Sequence, residues 1–241
     1  MKLTVLSSSS EANGYVLQND SEAIVIECGC PLSRCEEALG YNVSKVKGCL
    51  ITHEHGDHAR HAAKYVQRFP LFGTKGTLDA LRLPLGSNAT ALELRKTVQI
   101  GGFKVMPFAT QHDAAQPCGY LVKHADIGLL LFATDTYYLR YTFEGLTYIM
   151  IECNYDKYIL EDNSRKGLIP FSVRERVLRS HLSVADCIKW LKANDLSQTR
   201  AVVLLHLSGN NSNADNFVQR VKRNTGKMTM VATKGLEIDL L

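Results

Sequence analysis

The stretch His53-Glu54-His55-Gly56-Asp57-His58 constrains this chain more than any other feature. It follows a short apolar run, Cys49-Leu50-Ile51, that reads as a strand, and it precedes a run from Ala59 to Phe69 that reads as a helix. Side chains two apart on an extended backbone point the same way, so His53 and His55 can share one ion. Asp57 and His58 fall where the backbone turns into the helix and can face a second ion beside it. Neutral imidazole and carboxylate suit zinc, manganese or iron better than they suit a thiolate-only site. The alternative is a polar loop that happens to be rich in histidine, and the density of ligand-type side chains weighs against it.

With 241 residues the chain has room for one large domain or two small ones, and can bury a substantial core. Its longest apolar runs, such as Ile127 to Ala133, are far too short to span a bilayer. The amino-terminal MKLTVLSSSS lacks the apolar centre of a signal peptide, which sets the expectation of a cytoplasmic protein with no membrane partner. Seven cysteines, several in strand-like runs, point to reduced and buried thiols rather than a disulfide framework. Cys28, Cys30 and Cys35 lie close together, but no paired CxxC accompanies them, and core packing is the better account. A formal charge of +4 permits a polyanionic substrate without demanding one.

Strands are expected at Lys2 to Leu6, Tyr15 to Gln18, Ala23 to Ile26 and Lys47 to Thr52, with a helix from Pro31 to Leu39. Beyond the Ala59–Phe69 helix come a short strand at Leu71-Phe72-Gly73, a helix from Lys75 to Leu81 and a hairpin of Thr97 to Ile100 with Phe103 to Phe108. Tyr120 to Lys123 and Ile127 to Phe132 form a further hairpin, and Leu146 to Ile151 a strand ending in Glu152. Lys157 to Arg179 carries six basic and three acidic residues and no strand signal. Ser183 is a fair N-cap for a helix from Val184 to Lys192. A strand from Ala201 to Leu205, a helix from Ala214 to Lys222 and strands at Met228 to Val231 and Leu236 to Leu240 close the chain. With no linker or low-complexity stretch, the pattern implies a single domain, 1–241, of α/β or α+β class.

Three further ligand-type residues stand just past strand ends: His112, Asp135 and His206. Side chains there are held by the sheet, which suits a precise site. The HEHGDH run matches the HxHxDH signature of the metallo-β-lactamase superfamily, and the chain resembles that superfamily. The resemblance implies a four-layer αβ/βα sandwich. It also implies two divalent ions, zinc or manganese with iron possible in place of either. One ion would take the residues matching His53, His55 and His112, the other those matching Asp57, His58 and His206, with Asp135 between them. The superfamily's usual Asp at the end of the third strand is matched by Glu27, a residue that supports ligands rather than binding metal. His61 and His124 match no ligand position.

SSSSEANGY, QHDAAQPCGY around His112, SHLS at His181 and HLSGNNS at His206 are similar to one branch, the stand-alone YycJ/WalJ-like proteins. The similarity runs from Leu3 to Leu241 and leaves no room for an inserted β-CASP domain. It implies a metal-dependent phosphodiesterase that acts as a DNA exonuclease with a metal-held hydroxide as nucleophile. In that reading Asp57 binds metal and orients the nucleophile, and His181 donates a hydrogen bond or a proton to the leaving oxygen. Ser208, Asn210 and Asn211, with Ser8 and Asn13, would line the substrate mouth. The basic segment carrying Lys157, Arg165, Lys166, Arg174, Arg176 and Arg179 would meet the nucleic-acid backbone, DNA ahead of RNA. A cyclic-phosphate phosphodiesterase acting on small molecules, and a glyoxalase-type thioesterase or lactonase, are the competing hydrolases. A catalytically silent zinc-binding module is the competing non-enzyme, and a complete dinuclear ligand set argues against it. The sequence leaves the oligomeric state open.

Overall fold

The computed structural model describes residues 1–83 and 87–240, so Leu241, the last residue of the expected domain, lies outside the described residues. In chain order the strands of the amino-terminal part are β1 (Lys2–Ser8), β2 (Asn13–Gln18), β3 (Ala23–Ile26), β4 (Val46–Leu50), β5 (Leu71–Thr74), β6 (Ala89–Leu92), β7 (Val98–Ile100), β8 (Phe103–Ala109) and β9 (Cys118–His124). Helices α1 (Leu32–Ala38), α2 (Gly56–Ala59), α3 (Ala62–Arg68) and α4 (Lys75–Leu81) are interspersed with them. Then follow β10 (Gly128–Ala133), β11 (Leu146–Glu152), α5 (Lys157–Arg165), α6 (Phe171–Ser180), α7 (Val184–Ala193), β12 (Ala201–Leu205), α8 (Ala214–Thr225), β13 (Met228–Val231) and β14 (Glu237–Asp239). The chain divides into two compact units, one of Met1–Ala109, Ala114–Gly128 and Ala232–Leu241, the other of Thr110–Asp113 and Leu129–Val231.

The first unit is built on a sheet of order β14-β1-β2-β3-β4-β5-β6. Its β14, β1, β2 and β3 pair antiparallel, and β3 through β6 pair parallel. Strands β7, β8 and β9 pair antiparallel and belong to the other sheet, not to this one. β2 and β3 are buried along their whole length, as expected of strands covered on both faces. In the second unit β10, β11, β12 and β13 form a parallel ladder. Leu130, Leu131, Ile149, Met150, Ile151, Val202 and Leu204 fill its core with almost no exposure. Ala133 pairs with Ile151, and Glu152 with Leu205, so the carboxyl ends of these strands come out level at one edge. That edge is where an open parallel sheet offers a ligand site.

The helix expected from Ala59 to Phe69 is in fact two. Gly56–Ala59 forms one turn, and a second helix starts at Ala62. The break has a long-range cause. Cys28 donates its N–H to His58 O at 2.7 Å and accepts from His61 N at 3.0 Å, which takes both groups out of a continuous helical ladder. Strand β6 was not anticipated, because only Leu92 of its Ala-Thr-Ala-Leu is buried and the strand is set by its parallel pairing with β5. The basic segment of the sequence folds as α5 and α6, separated by Gly167 in the left-handed region at φ 69°.

The crossing of Cys28 against the His58 turn needs room. A Cβ on Gly29 would stand 1.7 Å from Asp57 O and 2.8 Å from Asn13 N. Overpacking of this kind costs about 1–3 kcal/mol. A chain of this size loses about 2–4 °C of thermal midpoint per kcal/mol. Gly29→Ala is therefore expected to melt several degrees lower in differential scanning calorimetry, and a midpoint equal to the parent's would contradict the close approach.

Candidate metal centre

The first unit orients its imidazoles through one buried carboxylate. Glu27 ends β3 in the left-handed region at φ 69°, fully buried, and accepts from Thr52 Oγ1 at 2.5 Å and Thr52 N at 3.3 Å. A carboxylate only accepts, so the Thr52 hydroxyl spends its one proton on Glu27. Thr52 Oγ1 also lies 2.9 Å from His53 Nδ1, and that nitrogen must be the donor. His53 therefore presents the lone pair of Nε2. The other imidazole of the pair, His58, has Nδ1 3.4 Å from Glu27 Oε1. Its Nε2 lies 3.1 Å from Asp57 Oδ2. Two donors adopt that spacing when each lies about 2.0–2.2 Å from one ion. Asn13 Nδ2 sits against both, 3.2 Å from Asp57 Oδ2 and 3.0 Å from His58 Nε2, and is itself anchored on Ser9 O at 2.9 Å. The His53 ring stacks edge-on to His55 at 4.8 Å and lies 4.2 Å from His58. Ser8 Oγ accepts from Tyr15 OH at 2.7 Å.

The second unit places its groups at the level strand ends. Asp135 follows β10 and His206 follows β12, and both adopt left-handed backbone, φ 43° and 54°. A non-glycine residue there costs about 1 kcal/mol or more, a strain that clusters at functional sites. Asp135 Oδ1 is 2.7 Å from His206 Nδ1, and Asp135 Oδ2 is 3.7 Å from His112 Nε2. His112 Nδ1 lies 3.1 Å from Ser180 O, a carbonyl that can only accept, so His112 also presents Nε2 as a lone pair. Burial pushes His112 below the usual imidazole range, which its neighbour Asp135 only partly offsets.

Glu152, which the sequence analysis left without a role, completes this half. It ends β11 with no exposure. Its Oε2 accepts from Thr136 N at 2.8 Å and Leu182 N at 3.2 Å, and its Oε1 lies 2.6 Å from His181 Nδ1 and 3.6 Å from His206 Nδ1. Asp135, Glu152, His181 and His206 each offer a ligand atom within 4.8 Å of the others. Burial raises the Glu152 carboxyl, and His181 and His206 more than reverse it. Burial likewise opposes charge on His206, but Asp135 and Glu152 overcome it and hold this imidazole up at about 10. Two buried carboxylates thus draw positive charge into the pocket, as a proton or as a metal ion. Imidazole nitrogen and carboxylate oxygen are the donor set of zinc and manganese sites, and the residues fit such ions. The signal that the sequence did carry for Glu152 was its place just past an apolar strand, as with Asp135 and His206.

The loop after His206 is braced rather than open throughout. Ser208 Oγ accepts from Asn211 N at 3.2 Å, Asn211 is buried, and Asn163 of α5 donates to Asn210 O at 2.8 Å and Asn211 Oδ1 at 3.0 Å. Ser208 is half-buried and Asn210 exposed. In the basic segment Arg174 is committed to Glu161 and Glu175, and Lys166 to Asp162.

A family model, the beta-lactamase superfamily domain, matches residues 24–207. The chain belongs to that family. Exodeoxyribonuclease YycJ of Bacillus anthracis is 26% identical over 228 residues, covering 88% of this chain and 84% of its own. Exodeoxyribonuclease WalJ of Streptococcus pneumoniae (strain ATCC BAA-255 / R6) is 26% identical over 228 residues, covering 88% and 83%. These relatives bear out the branch that HDAA, SHLS and HLSGNNS suggest. The metallo-beta-lactamase fold protein YhfI from Bacillus subtilis aligns with a TM-score of 0.73 at 16% identity over 98% of both chains, which shows the fold. The α/β class and the superfamily architecture therefore hold, and this beta-lactamase superfamily member is a metal-dependent hydrolase. Among the described residues no helix is long and apolar enough to cross a membrane.

The Glu27–Thr52–His53 relay makes a direct prediction. Groups that orient metal-binding histidines are worth about 10–100-fold in metal affinity. Thr52→Val keeps the shape and removes the hydroxyl, so chelator competition should show a loss within that range while circular dichroism is unchanged. Parental affinity would refute the relay.

Proposed function

We propose that this chain is a DNA exonuclease of the dinuclear phosphodiesterase type. One divalent ion, zinc or manganese, would be held by His53, His55 and His112, and the other by Asp57, His58 and His206, with Asp135 shared. The observation that carries this reading is the pairing of Glu152 with His181, 2.6 Å apart, beside the His206 ring at 5.3 Å and the His112 ring at 5.9 Å. A thioester expels a thiolate, which needs no such acid, whereas the sugar alkoxide expelled from a phosphodiester does. The two units are read as halves of one domain, since the backbone passes between them at Ala109/Thr110, Asp113/Ala114, Gly128/Leu129 and Val231/Ala232. Separate domains are joined by a linker that few contacts cross. Seven buried, unbridged thiols suit a cytoplasmic setting.

Bound ions would supply a water of lowered pKa and neutralise the charge of the phosphodiester. The remaining work falls to side chains of this chain. Asp57, beside Asn13 and His58, orients the nucleophile toward phosphorus. Glu152 accepts from His181 Nδ1, so the imidazolium is favoured and Nε2–H is left to meet the leaving oxygen. Burial works against charge on His181, and the Glu152 carboxylate reverses it and lifts this imidazole above its usual value. Transfer of the Nε2 proton leaves neutral His181 on Glu152, ready to be reprotonated from water. Ser208 and Asn210 flank the phosphate, while Asn211 shapes the turn that carries them, and Ser8 holds Tyr15 at the end of β1.

End-labelled single- and double-stranded DNA and RNA, incubated with metal-loaded protein, test the reading. Stepwise shortening of DNA is expected, with Asp57→Ala inactive. Hydrolysis of bis(p-nitrophenyl) phosphate without any cleavage of nucleic acid would refute it. A positioned general acid contributes about 10²–10⁴-fold, so His181→Ala should lose that much turnover with metal content unchanged. Parental turnover would remove His181 from the mechanism. Each phosphate contacted by a single strand adds about −0.7 to the slope of log affinity against log salt. Arg176→Ala with Arg179→Ala on α6 is expected to flatten that slope by roughly 1.4, and an unchanged slope would exclude α6 from the DNA path.

A further inference from the structure

The segment that follows the shared Asp135 is Thr136-Tyr137-Tyr138-Leu139-Arg140-Tyr141. Tyr137 is 46% exposed and Tyr138 56%, and Arg140 is exposed beside them. Exposed aromatic rings usually sit on mobile surface, but here the backbone beneath them is tied down. Tyr137 N donates to Gln111 O at 3.1 Å, and Thr136 Oγ1 accepts from Gln111 N at 2.9 Å and donates to Tyr138 O at 2.8 Å. Thr136 N donates to Glu152. Leu139 is buried. Farther on, Tyr141 O accepts from Trp190 Nε1 at 2.8 Å and Phe143 N donates to Asn194 Oδ1 at 2.9 Å. The rings are thus held on a rigid strap, fastened to the neighbours of His112 and to Glu152. Nothing in the core requires them to be aromatic.

We propose that Tyr137 and Tyr138, with Arg140, form a stacking platform for the unpaired bases of a DNA end, so that the nucleotides entering the site are single-stranded. The inference rests on the nuclease reading above. A rigid aromatic surface takes up a base with little ordering cost, and every base has a face to stack. The guanidinium of Arg140 meets the phosphate or stacks in turn. A blunt duplex offers such a platform only its terminal pair and the bases that fray from it.

The test measures anisotropy of a labelled single-stranded oligonucleotide and of the same oligonucleotide with abasic sites at its terminal nucleotides. Stacking is worth about 1–3 kcal/mol per base, or roughly 5–150-fold in affinity. The parent protein should bind the intact strand at least about tenfold more tightly than the abasic one and than a blunt duplex. Tyr137→Leu with Tyr138→Leu should abolish that discrimination, and Tyr137→Phe with Tyr138→Phe should retain it, which a merely structural role of these residues would not predict. Affinity for DNA without discrimination between intact and abasic strands, or equal behaviour of the Leu and Phe variants, would overturn the platform alone. No measurable affinity for any of the three DNAs would overturn the nuclease reading and the platform with it.

Discussion

Asp135 and Glu152 are carboxylates held out of water within reach of one imidazole, His206. An isolated buried anion is costly enough that a protein either neutralises it or pairs it. Here two are kept, each fixed by backbone rather than by a flexible arm. Glu152 takes N–H groups from Thr136 and Leu182, and Asp135 stands in strained left-handed backbone. The fold thus maintains a concentration of negative charge that only cations can stabilise, and that requirement runs through the second unit. The parallel strands level their ends to assemble it, and the turns after β10 and β12 depart from comfortable backbone to point it.

The first unit solves a related problem by relay. Its carboxylate, Glu27, does not reach the surface of the site but works through Thr52 on His53 and directly on His58. A glutamate accommodates this role because its extra methylene lets one carboxylate reach both the Thr52 hydroxyl and the His58 ring. Glu27 shares with Asp135 and His206 a left-handed residue at a strand end. All three end a strand and turn the side chain out of the sheet, so strain is spent on orientation.

Much of this was legible in the residues. β3, β12 and β13 and helix α4 fall where apolar runs bounded by turn or capping residues place them. HEHGDH announced a cation site on composition and spacing alone. Other parts were hidden because long-range partners set them. The break between α2 and α3 depends on hydrogen bonds from Cys28, and the commitment of Arg174 to Glu161 depends on two helices meeting. Glu152 was visible as a strand end, yet a carboxylate there has no meaning until the ladder shows it level with Asp135 and His206. Asn13 is similar. Only the folded chain shows it buried at the start of β2 with its amide against Asp57 and His58.

The proposed site is a charge-driven convergence of imidazoles and carboxylates on a pair of ions. Anomalous diffraction from crystals grown with zinc or manganese tests this most directly. Two peaks are predicted, one bonded to His53, His55 and His112 and the other to Asp57, His58 and His206, with Asp135 touching both. A single peak confined to Glu152 and His181, or no peak at these residues, would contradict it.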